Sequence, residues 1–222
     1  MIEVKNLTFG YGEKYIFENY NNQFSSGIHL IKGFSSCGKT TLLKLIAGLL
    51  SFKQGSITYK GKAVGGKAYL RDQLGYVFQD LNLLPDASIE RNMLIRASLN
   101  SNDMKLITQR IQEFSAMLGL TDLMQSSPEQ LSLGQQQRAA VMRAIIHMPH
   151  ILIMDEPTSS LDDLNTEVIK RVIEQFVHLN NDRVVLVATH DERLNSIADE
   201  IYDFNKFLPI DRHLETMVRS TR

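Results

Sequence analysis

Residues 33–40 read Gly-Phe-Ser-Ser-Cys-Gly-Lys-Thr and fit the phosphate-binding pattern G-x-x-x-x-G-K-[ST]. An apolar run at 28–31 precedes them and a helix-like run at 41–46 follows. A strand that leads through a glycine-bounded loop into a helix directs backbone N–H groups and the helix dipole at one point. The pattern predicts a nucleoside triphosphate site, with Lys39 on the β- and γ-phosphates and the Thr40 hydroxyl on Mg²⁺. The same loop and first helical turn supply the other expected contacts, which are Gly33, Ser35, Ser36, Cys37, Gly38 and Thr41.

Two carboxylates follow a second apolar run, Ile-Leu-Ile-Met at 151–154. In a parallel sheet, ligands gather at the carboxyl ends of the strands, so Asp155 and Glu156 are expected beside the phosphate loop. We expect Asp155 to hold Mg²⁺, through water, and Glu156 to orient and polarise the water that attacks the γ-phosphate. The alternative is a solvated strand end without chemistry.

Three further side chains stand where hydrolysis would need them. Gln79 follows a predicted strand and can bind the metal or sense the γ-phosphate, and His190 follows another and can donate a ring N–H to that phosphate. Tyr11 lies in a glycine-flanked turn and offers a ring that can stack on adenine. An ordinary structural role remains open for each of the three.

Cys37 is the only cysteine and lies beside Lys39, just before a predicted helix N-terminus. That setting predicts a lowered pKa and a reactive thiolate, which bound nucleotide would protect from alkylation. A buried, inert cysteine is the alternative.

Strand-like and helix-like patterns alternate along the chain. Strands are predicted at 2–9, 15–24, 28–32, 56–59, 75–78, 151–154 and 184–188. A helical pattern occupies about 88–147, where Ile107, Ile111, Phe114 and Leu118 share one face, and another covers 166–179. The order indicates a single α/β domain over 1–222 with a mostly parallel central sheet and an antiparallel flank. Its core would span about 1–84 and 141–222, with a helical subdomain inserted at about 85–140.

The amino-acid composition argues against several classes of function. The 222 residues carry a net charge of −1 and 43% hydrophobic residues, which is ordinary globular composition without the basic surface of a nucleic-acid binder. One cysteine excludes an intrachain disulfide and fits a reducing compartment. No apolar run approaches the roughly 20 residues of a membrane span, and no secretory signal is evident. Any membrane-spanning part is therefore expected on other chains.

Taken together, the motifs resemble the ordered set of the ATP-binding cassette (ABC) transporter ATPases over about residues 2–204. The motifs are 33–40, Gln79, Leu-Ser-Leu-Gly-Gln at 131–135, 151–156, Ser-Leu-Asp at 160–162 and His190. Within that family, residues 75–85 look most like the branch of lipoprotein-releasing and macrolide-exporting ATPases.

The resemblance implies a P-loop NTPase fold of ABC type that binds ATP and Mg²⁺ and hydrolyses ATP. Two subunits would face each other head to tail, a homodimer being favoured over a heterodimer. Ser132, Gly134 and Gln135 of one would then contact the nucleotide of the other. Separate transmembrane permease subunits would hold the pair at the cytoplasmic face of the membrane, with no nucleic acid involved. Leu81, Leu83 and Leu84 are candidates for that permease contact.

Two positions depart from the family pattern. Ser36 and Leu133 each stand where the family usually has glycine, so a backbone position now carries a side chain. Neither change removes a catalytic group, but because of both changes a weakly hydrolysing or heterodimeric subunit remains an alternative interpretation.

Three other functions compete with a transport ATPase. A DNA-repair or chromosome ATPase would need a long coiled coil between Lys39 and Leu131, where the sequence shows no sustained heptads. A phosphate-loop kinase would transfer the phosphate to a small molecule, whereas Glu156 beside Asp155 favours water as the acceptor. A binding-only regulatory subunit stays open because of the two departures.

Overall fold

The computed structural model describes residues 1–12, 14–101 and 103–207. Strands and helices follow one another along these residues. The strands are β1 (Ile2–Tyr11), β2 (Lys14–Phe24), β3 (Gly27–Lys32), β4 (Gln54–Tyr59), β5 (Lys62–Ala63), β6 (Leu74–Val77), β7 (Ile151–Asp155), β8 (Val184–Ala188) and β9 (Glu200–Asp203). The helices are α1 (Lys39–Ile46), α2 (Gly66–Ala68), α3 (Ile89–Ser98), α4 (Met104–Met117), α5 (Leu133–Ile145) and α6 (Asp163–His178).

The central sheet is parallel throughout, in the order β6-β7-β8-β3-β9. Every residue of β7 and β8 is buried, which explains why both read as uninterrupted apolar runs. The predicted strands of this sheet are confirmed to within one or two residues. The edge strand β9 was not predicted, because Glu-Ile-Tyr-Asp lacks both an apolar run and a clear alternation.

A four-stranded antiparallel sheet, in the order β2-β1-β4-β5, forms the predicted flank. One face of β1 is apolar and buried, as at Ile2, Val4 and Phe9, while intervening residues are more exposed. Strand β1 pairs with β2 on one side and β4 on the other, so Ile2 lies opposite both Phe24 and Tyr59. The flank therefore closes over one face of the central sheet.

Helices α3, α4 and α5 lie between β6 and β7 in the chain. Each begins at a side-chain cap, provided by Ser88, Asp103 and Ser132 respectively. The predicted apolar stripe on α4 is confirmed, since Ile107, Ile111, Phe114 and Leu118 are all buried. Within the described residues, no helix combines the length and apolar character that crossing a bilayer demands.

Two apolar clusters cover the two faces of the parallel sheet. Alternate residues such as Leu152 and Val185 face the cluster that includes α3, α4, α5 and α6. Their neighbours Ile153 and Leu186 face the cluster that includes α1 and the antiparallel sheet. The sheet is thus held between two layers, which fixes the ends of its strands.

Cys37 lies in the second cluster, and only 3% of it is exposed. Burial raises the pKa of its thiol, and this effect outweighs the nearby positive charge of Lys39, which lowers it. The expectation of a lowered pKa and a reactive thiolate is therefore wrong. The sequence places Cys37 beside a lysine and a helix N-terminus but does not show that the side chain turns into the core.

We predict that the native chain resists maleimide, because a buried thiol with a raised pKa supplies little accessible thiolate. Mass spectrometry should show labelling at least ~10-fold slower in the native chain than in guanidinium, and equally slow with and without MgATP. A C37S/S196C variant, whose thiol lies at an exposed position, serves as the fast-labelling control. Rapid native labelling that MgATP suppresses would contradict this prediction.

Candidate functional site

The carboxyl ends of four neighbouring strands meet at one edge of the parallel sheet. The register places Asp155 at the end of β7 opposite Ala188 of β8, and Ala188 opposite Ile31 of β3. Strand β6 runs beside β7 in the same direction. The chain leaves these strands directly into the segments that hold Gly33, Gln79, Glu156 and His190. Residues from distant parts of the sequence therefore share the edge at which parallel sheets bind ligands.

Lys39 forms hydrogen bonds across the phosphate loop. Lys39 is the first residue of α1, and its Nζ donates to the carbonyl oxygens of Gly33 at 2.7 Å and Phe34 at 3.1 Å. Gly38, which precedes it, has a φ of 101°, a left-handed conformation that suits glycine. The Cys37 sulfur at 4.0 Å is a third acceptor, and because none of the three is a carboxylate, the charge of the ammonium remains available to a phosphate.

Other residues of the loop differ in what they offer a ligand. Ser35 and Ser36 are exposed and Thr41 is half-buried, whereas the Cys37 side chain points into the core. Ser36 has a φ of 67°, so the departure from glycine falls at a left-handed position. Such a conformation costs a residue with a Cβ about 1 kcal/mol. The departure from glycine at Ser36 therefore places a side chain on a residue with a left-handed backbone.

Thr40 and Asp155 lie in direct contact at this edge. The Thr40 hydroxyl donates to Asp155 Oδ1 at 3.1 Å, and only 3% of Asp155 is exposed. Burial raises the pKa of the Asp155 carboxyl and the negative charge of Glu156 adds to this, while the Thr40 hydrogen bond opposes both. A buried carboxylate beside a second carboxylate fits a site that receives a cation.

The donor set suits Mg²⁺ in particular. A hydroxyl and a carboxylate oxygen are hard ligands, and Mg²⁺ usually takes one or two protein oxygens together with water and substrate phosphates. Across the described residues, no group of three or more His, Cys, Asp or Glu side chains is placed to enclose a metal. The geometry therefore fits a metal that arrives with a nucleotide.

Glu156 and His190 form a second pair. His190 Nδ1 lies 3.0 Å from the Glu156 carboxylate, whose side chain is mostly buried while that of His190 is mostly exposed. Glu156 has a φ of 51° and donates its backbone N–H to Ala188 at 2.8 Å. An unfavourable backbone conformation held by the neighbouring strand is typical of functional positions. Glu156 directly follows Asp155, and its carboxylate faces His190.

Gln79 is exposed in the turn that follows β6. Two and three residues further on, Leu81 and Asn82 are both left-handed, with φ values of 59° and 51°. Arg143 of α5 donates to both of their carbonyl oxygens, at 2.7 Å in the case of Leu81. The loop that carries Gln79 is therefore anchored on α5.

Residues 132–135 stand apart from the phosphate loop. Ser132 and Gln135 engage each other in a reciprocal cap at the start of α5, and a Cβ on Gly134 would lie 2.9 Å from Asn165 at the start of α6. No hydrogen bond among the described residues joins this segment to 33–41. Leu133, which is 52% exposed, is the first residue of α5 and has no left-handed backbone, so its departure from glycine adds bulk without backbone strain.

Tyr11 lies at the end of β1 and is exposed, and its ring packs edge-on against Phe9 at 5.1 Å. The structure thus brings together Lys39, Thr40, Asp155, Glu156 and His190. Tyr11 and residues 132–135 lie outside that group.

Sequence reasoning missed several residues that support the site. Asn205 accepts a hydrogen bond from the Phe34 N–H at 2.9 Å, and Asp191 accepts one from Thr158 at 2.7 Å. Asp191 directly follows His190, which is a usable signal. Nothing in the sequence marks Asn205, because its role depends on the unpredicted strand β9.

Comparisons with known proteins agree with this geometry. The sequence model of the ABC transporter family matches residues 18–159. The chain is 31% identical over 194 residues to an ergothioneine transport ATP-binding protein, EgtV, of Helicobacter pylori, covering 86% of this chain and 91% of that protein. It is 34% identical over 208 residues to a putative hemin import ATP-binding protein, HrtA, of Staphylococcus epidermidis, covering 89% and 93%.

Comparison with solved structures identifies members of the same family. A dimeric ATP-binding cassette in a post-hydrolysis state, bound to ADP and Pi, superposes with a TM-score of 0.82 at 28% identity. The match covers 91% of this chain and 94% of that one. The predicted fold class is thereby confirmed. The chain belongs to the ABC transporter family and is one of its ATP-binding, ATP-hydrolysing cassettes.

Proposed function

We propose that two copies of this chain close on two ATP molecules and transmit that closure to separate transmembrane permease subunits. The observation that carries this is the division of the site. Phosphate loop and carboxylates meet at one edge, whereas no hydrogen bond among the described residues joins Ser132, Gly134 or Gln135 to that loop. A homodimer at the cytoplasmic face of the membrane is the simplest assembly that unites the two. The net charge of −1 gives no support to a nucleic-acid partner.

Binding of the triphosphate would rest on the phosphate loop. Lys39 can exchange its two carbonyl acceptors for β- and γ-phosphate oxygens, and Ser35 and Ser36 are exposed on the same loop. Thr40 and Asp155 would hold Mg²⁺. When bound, Mg²⁺ supplies positive charge to the phosphate oxygens.

Hydrolysis would use the pair formed by Glu156 and His190. The Glu156 carboxylate accepts a proton from a water whose oxygen attacks the γ-phosphorus, and the bond to the β–γ bridging oxygen breaks to give ADP and phosphate. Because His190 Nδ1 faces Glu156, Nε2 remains free to donate to the γ-phosphate. Gln79 is proposed to contact the metal or the γ-phosphate, and Tyr11 to stack on adenine.

The second half of each composite site would come from the partner. Helix α5 has 13 residues, and its N-terminus would direct a positive dipole at the partner's γ-phosphate through Ser132, Gly134 and Gln135. This contact exists only while the γ-phosphate is present. Closure is then a population shift that ATP favours and hydrolysis reverses.

The permease contact is proposed on the helical subdomain at about 85–140. Of the three leucines suggested from the sequence, Leu81 is buried and is excluded, Leu83 is half-buried, and Leu84 is exposed. Ile95 on α3 and Leu99 directly after it are also exposed. The names of the two relatives support a transport role for the chain as a whole. The proposed contact surface adjoins the anchored Gln79 loop.

We predict that Glu156→Gln retains ATP binding, loses at least ~100-fold in turnover and accumulates an ATP-bound dimer, because an amide cannot accept the proton. Size-exclusion chromatography with MgATP and a phosphate-release assay measure both effects. Lys39→Ala is the matched control and should weaken nucleotide binding itself. Unchanged turnover in the glutamine variant would remove Glu156 from this role.

A second prediction concerns the exposed leucine at the start of α5. Leu133→Gly should strengthen ATP-driven dimerisation and raise ATPase activity by up to about tenfold, since a bulky apolar group would leave a junction built for phosphate and ribose. Sedimentation and ATPase rates of the two forms provide the measurement. A glycine variant that improves neither would show that Leu133 is no handicap and would favour a role in choosing a heterodimer partner.

A further inference from the structure

Arg193 lies in the 3-10 turn that follows β8 and His190, and its guanidinium joins two loops. Nε and Nη2 bond the Asp191 carboxylate at 2.8–3.1 Å, and Nη1 donates to Asp163 Oδ1 at 2.7 Å. Nη2 also donates to the backbone carbonyl oxygens of Thr158 at 3.3 Å and Leu161 at 3.1 Å. The planar fork thus spans segment 158–163 and the segment that carries His190.

Asp191 completes this link from the other side. Its Oδ2 accepts the Thr158 hydroxyl at 2.7 Å, and its own N–H donates to the Thr189 hydroxyl at 2.9 Å. Burial alone would raise the pKa of Asp191, but the hydrogen bonds from Arg193 and Thr158 lower it to about 2. The carboxylate therefore stays ionised near neutral pH and the link persists.

Segment 158–163 presents its polar side outward. Thr158 and Leu161 are buried, whereas Ser159, Ser160 and Asp162 are exposed. The segment continues into α6, and Asn165 on that helix touches the position of Gly134. The exposed face of 158–163 is therefore continuous with the surface proposed to meet the partner's nucleotide.

We propose that Arg193 is a positioning residue that pre-forms segment 158–163 for the partner chain. The inference rests on the proposed dimeric function. Its ion pair with Asp163 contributes little, because that side chain is 92% exposed and solvent screens it. The two carbonyl contacts hold the backbone itself. A segment already ordered in the single chain adds no ordering cost to dimerisation, so removal of Arg193 should weaken assembly and leave ATP binding intact.

The test compares Arg193→Gln and Arg193→Lys with Arg171→Gln, all in the full chain with Glu156→Gln. Arg171 is an exposed arginine on α6 whose ion pair is confined to Glu167 on the same helix, so its variant controls for the loss of a surface charge. Lysine keeps the charge of Arg193 but lacks the fork. Fluorescent-ATP titration of dilute chain gives the nucleotide Kd, sedimentation with MgATP gives the dimer Kd, and thermal unfolding gives Tm.

We expect Arg193→Gln to raise the dimer Kd at least ~10-fold while the nucleotide Kd changes less than ~2-fold, with Arg193→Lys in between and Arg171→Gln unchanged. An unchanged dimer Kd would overturn the inference. So would a parallel loss of ATP binding, dimerisation and Tm, which is the signature of general destabilisation. If Arg193→Gln does not fold, the dimer Kd, the nucleotide Kd and the Tm of Arg193→Lys test the inference by the same criteria. Failure of the Arg193-containing parent to dimerise with MgATP would instead overturn the proposed function, and the inference with it.

Discussion

The hydrogen bond between the Thr40 hydroxyl and the Asp155 carboxylate joins the phosphate loop to strand β7 of the parallel sheet. Both groups reach it only because β3, β7 and β8 run parallel in register and end at one edge. That edge holds a buried carboxylate, a second carboxylate beside it and, on the loop, a lysine that donates to two carbonyl oxygens and to the Cys37 sulfur. The carboxylates can bind a cation and the lysine can bind phosphate. A metal-bound nucleoside triphosphate carries both groups.

The same fold leaves the other half of the chemistry on a different surface. Helix α5 begins at Ser132 with a self-contained cap and touches α6, while its residue Arg143 holds the loop that follows Gln79. One helix thus links a proposed nucleotide sensor to the residues that are proposed to meet another chain. Because the N-terminus of α5 and the exposed side of 158–163 belong to one continuous face, dimer closure would engage both at once.

The sequence predicted what depends on local pattern. The phosphate loop, the strands β7 and β8 and the stripe on α4 each follow from a few adjacent residues or one periodicity. Long-range packing decided the rest. Cys37 turns into the apolar cluster that includes α1 and the antiparallel sheet, so its thiol is buried. Leu81 is buried in the cluster that includes α3, α4, α5 and α6. The role proposed for Arg193 depends on its hydrogen bonds to backbone carbonyl oxygens, which no side-chain pattern in the sequence reveals. Ser36 was identified as a departure from glycine, but its φ of 67° required the structure.

The proposed division of the hydrolytic site between two chains can be tested directly. The most direct measurement is the specific ATPase activity of the purified chain as a function of its own concentration, with saturating MgATP and sedimentation run in parallel. A divided site predicts that activity per chain rises with concentration and follows the dimer fraction, approaching zero where the chain is monomeric. Constant activity per chain across a range in which sedimentation shows only monomer would contradict the account.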